Sequence, residues 1–207
     1  MSTFGTIGAR ESVRVLPYDI EVEYLESSGA QYIDTGVTPP YAATVAFAAK
    51  VGVSTNDGTR RFLCASSNSN NNHYTEIGGN MRFGVGRNYC NVTLQVSKLY
   101  DTETVFVPTK FDASIIVDGT TYTASSTASV TSNWYRLVLF RITAQYTGSH
   151  QMLGPVRISV NSNVVRDFIP VRKDSVGYMF DKVTRTMYSN AGTGSFILGP
   201  DKVGGGG

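Results

Sequence analysis

The sequence predicts an all-β fold of two stacked antiparallel sheets, and three observations predict it. Apolar and polar residues alternate with a period of two in one short segment after another, the pattern of strands with one buried face. No window of eleven or more residues holds a 3.6-residue apolar period, so helices longer than a couple of turns are not expected. Twenty-one glycines punctuate the alternation with turns. More than a dozen short strands in 207 residues would twist, curl or split a single open sheet, so a two-sheet jelly-roll sandwich is the natural solution.

Along the chain, residues 1 to about 19 carry no strong pattern and read as an N-terminal arm. Strand candidates follow in order: VEYLE, QYIDTG, ATVAFAAKV, RFLCASS, YTEIGG, MRFGVG, NVTLQVS, TVFVPT, ASIIVDG, TYTASS, YRLVLFRI, PVRISV, VVRDFIPV, GYMFDKV and TMYSN. Asn56-Asp57-Gly58, Gly78-Gly79-Asn80 and Asp118-Gly119 supply residues that tolerate positive φ, and the alternation flanking Asp118-Gly119 predicts a tight hairpin. Ser66 to Asn72, SSNSNNN, is too polar to bury and reads as a loop. One jelly-roll domain therefore spans residues 20–200, and a glycine-rich tail, 201–207, closes the chain.

Bulk charge excludes several roles. Eighteen basic against sixteen acidic residues give +2, too small a field to recruit nucleic acid or an anionic membrane. No apolar run approaches the roughly 20 residues of a membrane span. Met1 to Asp19 lacks the apolar core of a secretory signal, which points away from general export. Cys64 and Cys90 lack zinc-site spacing; a disulfide between them requires that RFLCASS and GRNYCNVT be neighbouring strands with matched side-chain direction.

Two stretches, VEYLESSGAQYIDTGVTP and RDFIPVRKDSVGYMFDKVTRTMYSNAGTGSF, closely resemble the paired end motifs of laminin-G-like domains in the concanavalin A-like lectin/glucanase superfamily, of the kind found in gut bacterial surface proteins and tailed-phage virion proteins. Between them, IIVDG resembles a hairpin strand of these domains, and MLGPVRISV resembles the late strand that returns beside the first. The resemblance implies a jelly roll whose concave face and rim loops bind carbohydrate or protein in many relatives, without naming a ligand. Calcium-binding relatives use a dense acidic rim cluster; Asp57 beside Asn56 is the nearest approach here and reads as a plain turn. No metal or other cofactor is expected.

Catalytic patterns are weak. Glu21-Val-Glu-Tyr-Leu-Glu26 matches the spacing of the Glu-x-Asp-x-x-Glu strand of jelly-roll glycosidases, in which two carboxylates about 5 Å apart act as nucleophile and general acid. Here the central residue is Glu23, the motif lies at the front of the domain, and Trp134 is the single tryptophan, so the run reads as the charged face of an early strand. His73 and His150 sit in polar settings with no local nucleophile or orienting acid, and read as exposed loop residues.

Binding features carry more weight. Sugars are held by flat aromatic faces together with amides and guanidinium groups that satisfy hydroxyls. Asn71, Asn72, His73 and Tyr74 follow the polar loop, and tight turns return Arg87, Asn88 and Tyr89 to the same end. Trp134 is a further candidate platform, although a tryptophan before an alternating strand is more often core. The expected function is therefore a non-catalytic carbohydrate-binding or adhesion module of a phage virion, or of a bacterial cell surface if the chain is cut from a longer protein. The alternatives are a structural virion or surface domain that binds a protein neighbour through the arm or tail, and a glycoside hydrolase using Glu21 and Glu26.

Overall fold

The computed structural model describes residues 15–41, 43–53, 61–67, 72–77, 81–85, 88–92, 103–108, 113–117, 120–123, 134–143, 146–147 and 149–203. In chain order its strands are β1 (Ile20–Glu21), β2 (Leu25–Ser28), β3 (Ile33–Asp34), β4 (Val45–Val53), β5 (Arg61–Ser67), β6 (Asn72–Ile77), β7 (Met81–Val85), β8 (Asn88–Val92), β9 (Glu103–Pro108) and β10 (Ala113–Val117). There follow β11 (Thr120–Thr123), β12 (Leu137–Leu139), β13 (Arg141–Thr143), β14 (Tyr146–Thr147), β15 (Ser149–Val160), β16 (Asn163–Lys173), β17 (Val176–Asp181), β18 (Thr186–Tyr188) and β19 (Ile197–Leu198). No helix occurs among the described residues, as the missing 3.6 period requires.

Two large antiparallel sheets form the sandwich. The larger runs β11-β10-β9-β4-β15-β16-β17-β18, with β1 paired to β16 and β2 paired to both β15 and β19; the smaller runs β3-β12-β5-β6-β7-β8. β10 and β11 pair as a hairpin with Val117 opposite Thr120, while Asp118 and Gly119, expected to make its turn, lie outside the described residues. The rear hairpin joins β17 to β18 through the Asp181–Arg185 turn. Val45, Phe47, Ala49, Val51, Leu153, Val156, Ile158 and Phe168 from the larger sheet meet Ile33, Leu137 and Leu139 from the smaller one in a continuous core.

The chain ends join this scaffold. Between β1 and β2, Val22 bridges Asp201 and donates its N–H to the Pro170 carbonyl at 3.1 Å; Glu23 N–H donates to Pro200 at 2.9 Å. The opening run is thus flanked by β16 and β15 on one side and by the C-terminal segment on the other. It is no edge strand, because the two ends of the chain supply each other's ladder partners. Tyr18 is likewise buried, its ring 5.1 Å from that of Phe180, in a second apolar cluster with Ile169 and Val171 on the other face of the larger sheet. Asp19 N–H donates to Arg172, and the Asp19 carboxylate accepts from Asp174 N–H at 2.8 Å.

The two motifs that mark the ends of the domain are locked together. Gln31, 3% exposed, accepts at Oε1 from Ser28 N–H and from the Ser27 and Ser28 hydroxyls, and its Nε2 donates to Thr193 carbonyl at 3.1 Å. Asn190 Oδ1 accepts from Tyr32 N–H at 3.1 Å and Gly192 N–H at 2.8 Å, while its Nδ2 donates to Gly194 carbonyl at 2.9 Å. At the rear turn, fully buried Asp181 accepts from the N–H groups of Asp167, Val183 and Thr184 and from the Thr184 hydroxyl, with Arg166 Nε 3.6 Å away. The side chains in these turns do the work that sheet ladders do elsewhere: they satisfy backbone donors that burial would otherwise orphan.

Candidate functional site

The smaller sheet brings five of the expected binding residues, Asn72, His73, Tyr74, Asn88 and Tyr89, to one end, and its register sorts them. Leu137 pairs with Ser66, Ser66 with His73, His73 with Val85, and Val85 with Asn88. Leu137 is fully buried in the core, so this row belongs to the face turned toward the larger sheet. One residue along, Asp34 pairs with Val138, Val138 with Ala65, Ala65 with Tyr74, Tyr74 with Gly84, and Gly84 with Tyr89. That row belongs to the opposite, outer face, where Arg136 is exposed and its Nη1 lies 3.1 Å from Asp34 Oδ2, although Ala65 in the middle of the row is buried.

Tyr74 and Tyr89 therefore share a transverse row on the outer face, whereas His73 and Asn88 belong to the inner one. Asn72, two residues before Tyr74, falls on the outer face with it. Asn71 and Arg87 lie outside the described residues. Read from the β8 edge, the row is Tyr89, Gly84, Tyr74, Ala65, Val138 and Asp34, so the two tyrosines are each followed by a small residue. With strands about 4.8 Å apart, the two tyrosines are about 10 Å apart at the backbone, with a glycine between them. The next outer row pairs Glu76 with Arg82 and Arg82 with Asn91, adding an opposite-charge pair and an amide. The signal for this face is the alternation itself: Asn72, Tyr74 and Glu76 interleave with His73, Thr75 and Ile77, and Arg82 and Gly84 with Met81, Phe83 and Val85.

Several sequence expectations need correction. Trp134 is 6% exposed and its indole N–H donates to Ala43 carbonyl at 3.1 Å; it is a core residue rather than a platform. Ser66, Ser67 and Asn72 are strand residues, because β5 and β6 extend into the polar run and Ser67 pairs with Asn72. His73 and His150 also lie within strands rather than loops. YRLVLFRI is interrupted at Phe140, whose φ of 69° breaks it into β12 and β13. Cys64 and Cys90 occupy strands separated by β6 and β7, roughly 14 Å apart by sheet spacing, beyond disulfide reach.

The Glu21–Glu26 run is not a continuous strand. Glu21 and Glu26 belong to separate strands, and Glu26 is 6% exposed where it pairs with Met152 and Ile197. The Glu21 carboxylate lies 3.4 Å from Lys202 Nζ and accepts from the Tyr18 hydroxyl at 3.5 Å. Burial, then the Glu26 and Glu23 carboxylates, push the Tyr24 hydroxyl pKa above 10.0. The Glu21 carboxylate thus links β1 to the C-terminal segment, while Glu26 sits within a strand paired on both sides. No grouping of His, Cys, Asp and Glu suited to a metal ion occurs among the described residues, and no helix is long and apolar enough to cross a membrane.

No protein-family model matches the chain, and no curated protein matches it either. Among solved structures, domains LG4-5 of the mouse laminin α1 chain superpose with a TM-score of 0.50 at 14% identity, over 72% of this chain and 44% of that one. The chain has a concanavalin A-like jelly-roll fold. This jelly roll spans less than half of the laminin chain it matches. A SAP-like pentraxin from Limulus polyphemus matches 90% of the chain and 97% of its own at 10% identity and TM-score 0.49. The CBM40 of a Ruminococcus gnavus IT-sialidase, bound to α2,3 sialyllactose, matches 70% and 93% at 10% identity and TM-score 0.49.

Proposed function

We infer that this jelly roll is a non-catalytic carbohydrate-binding or adhesion module that acts on the surface of a phage virion or a bacterial cell. The observation that carries the reading is the outer-face row in which Gly84 lies between Tyr74 and Tyr89. Aromatic residues at register positions either side of a glycine are the residue types on which a sugar ring stacks, and Asn72, Asn91 and Arg82, placed on the same face by the register, are types that satisfy hydroxyls. A shallow, wet site of this kind gains little from each exchanged hydrogen bond, so affinity is modest and useful adhesion relies on several copies. The Glu21 carboxylate is paired with Lys202 and Glu26 is a buried position of the strand that pairs with Ile197, which favours a structural role for both over hydrolysis.

A glycan array probed with the wild-type chain tests this reading. Binding to a defined saccharide family, with no release of reducing sugar, is expected. Hydrolysis that disappears in Glu21→Gln or Glu26→Gln identifies a glycosidase instead, and an array without signal beside capture of a virion or surface protein identifies a structural domain.

A further inference from the structure

Away from the tyrosine row, the junction of β12 and β13 holds a cation with an unusual support. Arg136, Arg157, Arg166 and Arg172 each lie within ion-pair distance of a carboxylate: Asp34, Asp167, Asp181 and Asp201. Arg141 instead stands over an aromatic ring, its Cζ 4.3 Å from the centroid of Tyr32, with no carboxylate in ion-pair range among the described residues. A guanidinium lying over a ring engages its positive face with the π-system and leaves its in-plane N–H donors available. Those donors form the fork that matches two oxygens of a carboxylate or sulfate.

The backbone around this ledge is distorted in a way that sets its position. Phe140, fully buried with its ring centroid 4.9 Å from that of Phe196, has φ of 69°. A bulky residue in the left-handed region is strained, and such strain persists only where the surroundings enforce it. The kink ends β12, and β13 begins at Arg141 with an irregular register. The ring beneath is fixed as well. Tyr32 N–H donates to Asn190, its carbonyl accepts from Ala191 N–H, and a Cβ added at Gly192 would come within 3.1 Å of Tyr32 Cδ1. A strained buried strand break on one side and a pinned ring on the other hold at the surface a guanidinium that has no carboxylate partner among the described residues.

We propose that Arg141 and Tyr32 form a binding site for an oxyanion carried on a saccharide, a carboxylate or a sulfate ester, separate from the row of Tyr74 and Tyr89. The ring prepays the ordering of the long side chain, and the fork supplies the directional contact.

Three immobilised probes with one backbone test it: dextran, carboxymethyl-dextran and dextran sulfate, at physiological salt. The wild-type chain is retained on an anionic matrix and not on plain dextran, and preference between the two anionic matrices tells carboxylate from sulfate. Arg141→Gln weakens retention about tenfold, the loss of a charge-assisted pair of hydrogen bonds. Arg141→Lys recovers part of it, since it keeps the charge without the fork. Tyr32→Leu falls between wild type and Arg141→Gln, and Tyr74→Ala leaves anion retention unchanged. Arg185→Gln, which removes an exposed charge elsewhere, also leaves it unchanged. The proposal is overturned if Arg141→Gln and Arg185→Gln weaken retention equally, which means net charge alone is read, or if the wild-type chain does not distinguish the anionic matrices from dextran. Loss of neutral-glycan binding on the array bears on the tyrosine row and leaves this outcome unaffected, so the two readings fail separately. Melting temperatures of the variants within a few degrees of wild type confirm that they are folded.

Discussion

Tyr32 N–H donates to the Oδ1 of Asn190 at 3.1 Å, joining residues 158 positions apart and fastening the opening motif to the rear one. Asn190 serves two backbone donors and at least one carbonyl at once. Asn190→Ala leaves these groups without their partner and is expected to cost about 2 kcal/mol. Urea titration is the check; a midpoint equal to wild type shows that water replaces the amide without loss.

The rear turn depends on Asp181 in the same way. Its carboxylate is fully buried, accepts three backbone N–H groups, and faces Arg166, which is itself only 16% exposed. Asp181→Ala strands both the donors and the cation, at an expected cost of about 3–5 kcal/mol. Asp181→Asn retains one acceptor oxygen and should cost less. Equal destabilisation by the two variants contradicts this assignment.

Gln151 predicts the opposite sign. It is fully buried in β15, and neither its Oε1 nor its Nε2 has a hydrogen-bond partner among the described residues. An unsatisfied buried amide costs roughly 1–3 kcal/mol, so Gln151→Met, similar in length and apolar, should raise stability by about 1 kcal/mol. A lower melting temperature in this variant shows that the amide is satisfied in solution.

Tyr18 makes stability depend on alkaline pH. Burial first, and then the Glu21 carboxylate with its hydrogen bond, raise the hydroxyl pKa above 10.0. Folding therefore favours the neutral phenol: its contribution is complete below the unfolded value near 10 and is lost as pH rises through the higher folded value. Denaturation at pH 9 to 11 should show a steeper fall for wild type than for Tyr18→Phe. Parallel curves remove Tyr18 as the cause.

Much of the fold was legible because period-two alternation and turn chemistry are local. The hairpin at Asp118-Gly119 and the rear hairpin around Asp181 follow from a few neighbouring residues each. What was not legible depends on partners distant in sequence. VEYLE looks like a solvated edge until Ile197–Leu198 and Asp201 are seen to pair beside it. YRLVLFRI looks continuous because nothing local marks Phe140 for positive φ; the tertiary packing on Phe196 outweighs its preference. Polar Ser66, Ser67 and Asn72 are strand residues because ladder pairing overrides composition. For the site, sequence proximity grouped His73 with Tyr74 and Asn88 with Tyr89, yet a period of two puts the members of each pair on opposite faces. Only the register between strands shows that Gly84 lies between the tyrosines.

That row is the centre of the account, and titration calorimetry with the saccharide that the array identifies tests it most directly. Tyr74→Ala, Tyr89→Ala and Gly84→Val, the last placing a branched side chain on the floor of the row, should each weaken binding about tenfold or more, consistent with about 1–3 kcal/mol for a lost stacking or hydrogen-bonding contact. Their melting temperatures should stay within a few degrees of wild type, since the three positions share the face opposite the one Leu137 buries. Wild-type affinity in all three folded variants contradicts the account, and places whatever this jelly roll binds somewhere other than the outer face of its smaller sheet.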